Sequence, residues 1–211
     1  QKLLAEYPTM SVHGVVSTYG PALQQLPKTT LSARMVVFLG STLGNLAPDA
    51  CDRFLHQVSQ ALTPGDYFLL GVDLHKDTAT LAAAYNDSQG ITAAFNLNLL
   101  SHLNWRFGGT FDPSQFAHVA FYNEAQRQIE IYLESQVTQT AQLKALELTV
   151  TFGAKERLLS EISRKFEVGP MTAQLAQHRL QVCHTYTDSQ QWFGLILAQR
   201  LEDRAIAGIR N

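Results

Sequence analysis

Two unbroken apolar runs stand out in the first third of the chain. Met35-Val36-Val37-Phe38-Leu39 ends at Gly40 and reads as a strand buried on both faces. Tyr67 to Leu74 is a second such run and carries Asp73 near its end. Between them, Phe54, Leu55, Val58, Ala61 and Leu62 recur at helical spacing after Pro48, a favoured first-turn residue. Thr63-Pro64-Gly65-Asp66 stops that helix. Strand, helix, strand in this order predicts a right-handed βαβ unit. Gly40 to Asn45 then lies at the carboxyl end of a parallel strand, where open α/β sheets hold ligands. Glycine lets a ligand approach the backbone there, and Asn45 adds a donor and an acceptor.

Upstream, Lys2 to Glu6 reads as a helix end stopped before Pro8. Met10 to Val16 reads as a short strand, Ser17 to Pro21 as a turn, and Ala22 to Leu26 as one helical turn. The character changes after Leu74. His75 to Tyr85 is helical and Gly90 breaks it. Ile91 to Phe107 is a second helix, with Phe95, Leu99, Leu103 and Trp105 apolar and Asn96, Asn98 and Asn104 opposite. Ala117–Tyr122 and Gln128–Ser135 form a hairpin, with Ile129, Ile131 and Leu133 on a buried face and Glu130, Tyr132 and Glu134 on a wet one. Gln136 to Leu143 is polar, and Leu146, Leu148, Val150 and Phe152 alternate again. Leu158–Phe166 and Met171–Leu180 read as helices, and Gln181–Tyr186 and Phe193–Gln199 as strands closing the first sheet. Glu202 to Asn211 reads as a frayed tail. The expected organisation is a sheet domain of residues 1–74 and 166–211 with an inserted α+β domain of residues 75–165.

Composition narrows the class. In 211 residues, 45% are hydrophobic and 16% charged, which supports a sizeable core and argues against disorder. A net charge of -2 and the lack of a basic cluster argue against nucleic acid or an anionic membrane as partner. Cys51 and Cys183 are too few for a disulfide scaffold, and the histidines are scattered without metal-ligand spacing. No apolar run approaches the roughly 20 residues of a membrane span. The expected setting is the cytoplasm, with a monomer acting on a small molecule. Gln1 falls inside what reads as a helix, so the chain is expected to be part of a longer protein.

Polar side chains concentrate in four stretches: Gly40–Asn45, Asp73–Asp77, Tyr85–Asn96 and Leu159–Ser163. No Ser-His-Asp, Cys-His or paired-carboxylate arrangement emerges from the spacing. Phe-Leu-Gly-Ser-Thr-Leu-Gly-Asn (38–45), Leu-Leu-Gly-Val-Asp-Leu-His-Lys-Asp (69–77), the run from Ala83 to Asn98 and Ser-Glu-Ile-Ser-Arg-Lys-Phe (160–166) resemble the histidine-specific S-adenosylmethionine-dependent methyltransferases. The resemblance extends from about Leu3 to Gln199 and implies a class I methyltransferase (Rossmann-like) α/β sheet, incomplete at its N-terminal half, with an inserted substrate domain. It implies S-adenosylmethionine as cofactor and histidine as methyl acceptor in ergothioneine biosynthesis. The family's amino-acid site falls on Asn45 and Tyr85 for the backbone end, Gly40 for the lining, and Glu161 and Ser163 for the imidazole. Its adenine contacts fall on Thr18 and Tyr19, where many members carry an acidic residue in place of the threonine. The family's Gly-rich first loop and ribose-binding acidic residue would precede Gln1, so this chain alone is expected to bind the cofactor weakly and to be inactive. Two other readings stay open: an N-methyltransferase for another amino acid or an indole derivative, and a non-catalytic remnant that serves as a binding module.

Overall fold

The computed structural model of the protein describes residues 2–27 and 29–202. In chain order its elements are α1 (Lys2–Glu6), α2 (Tyr19–Gln24), β1 (Met35–Phe38), α3 (Pro48–Ala61), β2 (Tyr67–Asp73), α4 (Thr78–Tyr85), α5 (Ile91–Phe107), β3 (Phe116–Asn123), β4 (Gln128–Ser135), β5 (Gln139–Leu143), β6 (Leu148–Phe152), β7 (Arg157–Arg164), α6 (Val168–Gln177), β8 (Leu180–Thr187) and β9 (Phe193–Arg200). A single 3-10 turn, Thr42–Asn45, joins β1 to α3.

The first sheet runs β1-β2-β9-β8. β1 and β2 are parallel, with Met35 beside Tyr67, and α3 is their crossover, as the βαβ pattern requires. β9 returns antiparallel to β2. Phe68, Leu70 and Val72 on β2 and Ile196 and Ala198 on β9 are buried in one core with Leu55 and Val58 of α3 and Met171 and Leu175 of α6. β1 departs from the expected two-sided burial. It is an edge strand, and only Val36 and Phe38 pack on the core, while Met35, Val37 and Leu39 are about half exposed. Met10 to Val16 does not form the expected strand and pairs with no other strand among the described residues. The expected tail falls largely on residues 203–211, outside the described residues.

A second sheet, β3-β4-β7, and a two-stranded β5-β6 ribbon are separate from the first sheet. The link is at Leu74 and Phe166, which form a parallel bridge; the Phe166 amide donates to Asp73 O at 2.9 Å and the His75 amide to Phe166 O at 2.9 Å.

Helices α4 and α5 pack against this second sheet. Leu81 and Tyr85 meet Ile129 and Ile131; Leu100, Leu103 and Phe107 meet Phe116 and Leu133. The packed face of α5 matches its apolar pattern only in part, with Leu103 inward and Asn98 exposed as expected. Asn96 is buried, whereas Phe95 and Trp105 are 72% and 76% exposed. Asn96 can turn inward because all its polar atoms find partners there. The hairpin's polar face is also less wet than expected: Glu130 is buried and accepts from Tyr132, Asn123 and Gln128.

The largest correction concerns residues 158–166. They continue the sheet as β7, paired with β4, and are not helical. The register slips between Ile131 and Tyr132, leaving Ser160 as a bulge. The bulge breaks the period of two at the centre of β7, so the alternation that marks a strand is lost.

Candidate active site

The site forms where β1, α4 and β7 converge. Gly40 ends β1 at φ 77°, a conformation that favours glycine, and starts the turn that carries Asn45. Gly44 is needed for a different reason. A Cβ there would lie 2.8 Å from Arg164 O, so only glycine lets this turn rest on β7. The close approach delivers Asn45 to the strand: its Nδ2 donates to Glu161 Oε1 at 2.7 Å and to Ile162 O at 2.9 Å. Both acceptors can only accept, which fixes the amide orientation and leaves Oδ1 as the group Asn45 can offer a ligand.

Glu161 and Ser163 lie opposite Ile131 and Ile129, so as strand residues two apart they share a face. This is a simpler juxtaposition than a helix or loop would give. α4 covers the same face and places the Tyr85 hydroxyl 2.9 Å from Ser163 Oγ. Asn45 thus reaches Glu161 while Tyr85 reaches Ser163, joining each residue expected at the backbone end to one expected at the ring end. Glu161 and Ser160 border two adjoining cavities. One, about 310 Å³, is lined by Phe95, Leu99 and His102; the other, about 520 Å³, by Asn45, Leu159 and Ile162.

Sequence reasoning did not single out Lys165. Next to Arg164 in a charged run, it looks like a surface residue, yet its side chain is fully buried. Its Nζ meets Asp73 Oδ2 at 2.8 Å, Tyr85 Oη at 2.8 Å and Ser163 Oγ at 2.9 Å. Asp73 also receives Lys76. The signal available was Asp73 itself, an acidic residue at the end of a buried strand and in need of a partner.

A second polar group braces Tyr85 from behind. Asn96 Nδ2 donates to Tyr132 O and to His118 Nδ1, each at 3.0 Å, and its Oδ1 accepts from Ser160 Oγ at 2.7 Å. His118 Nδ1 must then carry a lone pair, so Nε2 bears the hydrogen and donates to Tyr85 O at 2.9 Å. That carbonyl ends α4 and would otherwise have no helical partner.

Thr18 and Tyr19 are not part of this cluster. Tyr19 starts α2, and its ring meets Phe38 of β1 edge to face with the centroids 5.2 Å apart. Through Phe38, Tyr19 adjoins the strand that leads to Gly40. A Cβ on Gly40 would meet only Thr42 Oγ1, at 3.7 Å, so the approach is clear.

A βαβ edge with a polar cluster at its carboxyl end, closed by an antiparallel hairpin, defines an α/β protein of the class I methyltransferase type. The profile of a family described as "Histidine-specific methyltransferase, SAM-dependent" matches residues 1–200, and the chain belongs to that family. It is 42% identical over 196 residues to a histidine N-alpha-methyltransferase of Mycolicibacterium smegmatis, covering 93% of this chain and 60% of that protein. A Mycobacterium tuberculosis protein of the same name is 40% identical over 195 residues, covering 92% and 60%. The chain therefore spans about 60% of the length of these relatives. Among solved structures, a Clostridium acetobutylicum S-adenosylmethionine-dependent methyltransferase superposes with a TM-score of 0.46 at 8% identity, over 95% of this chain and 69% of that one.

Proposed function

We propose that the protein carrying this chain is an S-adenosylmethionine-dependent N-methyltransferase that converts the α-amino group of L-histidine to the trimethylated betaine, hercynine, in ergothioneine biosynthesis. The observation that carries this reading is the meeting of Asn45, Glu161, Tyr85 and Ser163 from three separate elements, with Asn45 and Glu161 bordering a cavity. The names of the relatives agree with it. In this reading residues 75–165 form the substrate lobe. Thr18 and Tyr19 would hold the adenine end of the cofactor, which supplies a methyl group bonded to a good leaving group.

The chain's own residues bind and orient. Asn45 has spent both amide hydrogens on β7, so its Oδ1 accepts an N–H of the substrate amine and turns the nitrogen lone pair outward. The amine must be neutral to attack, and an acceptor at this point suits a neutral amine as long as it keeps an N–H. Each of the first two transfers is followed by loss of a proton to solvent, and the neutral dimethylated amine has no N–H, so this contact serves the first two; the third transfer takes the last lone pair and the reaction ends itself. Gly40 and Tyr85 border the backbone end. Glu161 Oε1 is tied to Asn45, and its other oxygen accepts the imidazole N–H, while Ser163 faces the second ring nitrogen.

Glu161→Ala tests the reading. It removes a charge-assisted bond of roughly 1.5–3 kcal/mol, or about ten- to a hundredfold in histidine kcat/KM. Methyl transfer to histidine, tryptophan and phenylalanine should show the loss for histidine and little or none for the other two. An equal loss for all three would mean that Glu161 supports the fold and reads nothing.

A further inference from the structure

We propose that Asn96 and Ser160 are positioning residues: they pin a one-residue bulge in β7, and the bulge turns Glu161 toward the substrate. The inference rests on the reading that Glu161 takes the imidazole.

Register decides which face Glu161 occupies. Leu158 and Leu159 lie opposite Leu133 and Tyr132, whereas Glu161, Ile162 and Ser163 lie opposite Ile131, Glu130 and Ile129. Ser160 is the extra residue between the two runs. Without the slip, the first run would continue with Ser160 opposite Ile131 and Glu161 opposite Glu130. A shift of one residue moves every side chain to the other face of a sheet. Glu161 would then lie beside a second carboxylate, one that is buried and already accepts from Tyr132, Asn123 and Gln128. With the slip, Glu161 shares the face of Ile131, which α4 covers, and borders both cavities.

Side chains hold the bulge in place. The Ser160 hydroxyl shares its hydrogen between Asn96 Oδ1 at 2.7 Å and Ile131 O at 3.0 Å. Asn96 Nδ2 donates to Tyr132 O at 3.0 Å. Ile131 and Tyr132 are the two β4 residues between which the register slips. Their carbonyls can only accept, so the directions of these bonds are fixed. Each carbonyl is thus held by one member of a pair that is itself joined. Asn96 is buried on α5, and its amide also donates to His118, so the pair cannot follow a sliding strand. Moving the bulge by one residue would break all three bonds at once.

The experiment is a double-mutant cycle between residues 160 and 161 in the full-length protein. It is read as methyl transfer to histidine and to phenylalanine, with a thermal melt of every variant. Ser160→Ala should lower histidine kcat/KM about tenfold, the worth of one well-placed hydrogen bond, and leave phenylalanine unchanged. In a Glu161→Ala background the same substitution should cost nothing further, because a residue that acts by aiming Glu161 has nothing left to aim. Ser160→Thr keeps the hydroxyl and should restore the preference for histidine. Asn96→Ala should lose that preference too, on top of its lower stability; Ser160→Ala decides the matter if Asn96→Ala fails to fold. Additive losses in the cycle would mean that Ser160 meets the substrate or supports the fold, and would overturn the proposal. So would equal losses for both substrates, or full histidine turnover, in Ser160→Ala. A Glu161→Ala loss shared equally by both substrates would sink the reading of the site and this proposal with it.

Discussion

Asn96 uses every polar atom it has. Its two amide hydrogens go to Tyr132 O and His118, and its oxygen takes Ser160. Replacing it by alanine would leave those buried groups unpaired, at a cost of about 1–3 kcal/mol for the bonds alone. Urea denaturation should show a lower midpoint with an unchanged slope. Gly44 sets a second residue-scale constraint. Gly44→Ala pushes a methyl against Arg164 O and should lift the turn from β7, separating Asn45 from Glu161. Histidine turnover should fall more than thermal stability does. Full activity in that variant would show that the close approach is dispensable.

At the scale of elements, α5 depends on a cap outside it. Asp87 accepts from the Ile91 and Thr92 amides, each at 2.8 Å, the first donors of the helix. Those bonds hold its carboxyl down at about 2. A carboxylate with a lowered folded value stabilises above its unfolded value, near ~4, and loses that effect as the pH falls toward the folded value. Asp87→Ala should therefore melt at a lower temperature than wild type at pH 7, and the gap should narrow as the pH drops from about 4 toward 2. The long stretch from Ala83 to Asn98, so distinctive in the sequence, thus divides its work among a site residue, a cap and a buried hub: Tyr85, Asp87 and Asn96. Sequence pattern shows that such a stretch matters and not which of its residues does what. Helix α3 and the parallel pair β1 and β2 were readable because their burial follows one period throughout. β7 was not, because the bulge at Ser160 shifts the phase at its centre. The inward face of α5 was hidden for a related reason: polarity predicts exposure only where a polar group lacks partners inside, and Asn96 has three.

At the scale of the molecule, the β1-β2-β9-β8 sheet is separate from the antiparallel β3-β4-β7 sheet. What no local pattern shows is how the two are joined. Lys165 carries no apolar signal, and two of its three partners, Asp73 and Tyr85, lie far away in sequence. The bridge between Leu74 and Phe166 is equally silent, since a pair of parallel backbone hydrogen bonds leaves no trace in side-chain type.

That bridge bears on how the protein comes apart. Two sheets with separate cores could open independently, each at its own free energy. Here the strand leaving one sheet immediately pairs with the strand ending the other, and a buried ammonium spans the seam. Opening either sheet must break the amide bonds of Phe166 and His75 and strand a charge. The two cores should therefore unfold as one cooperative unit. In native-state hydrogen exchange, the Phe166 and His75 amides should be as slow as those of β2 and β4, and exchange of β4 well ahead of β2 would contradict this. Mutations within residues 75–165 would then register as instability of the whole protein.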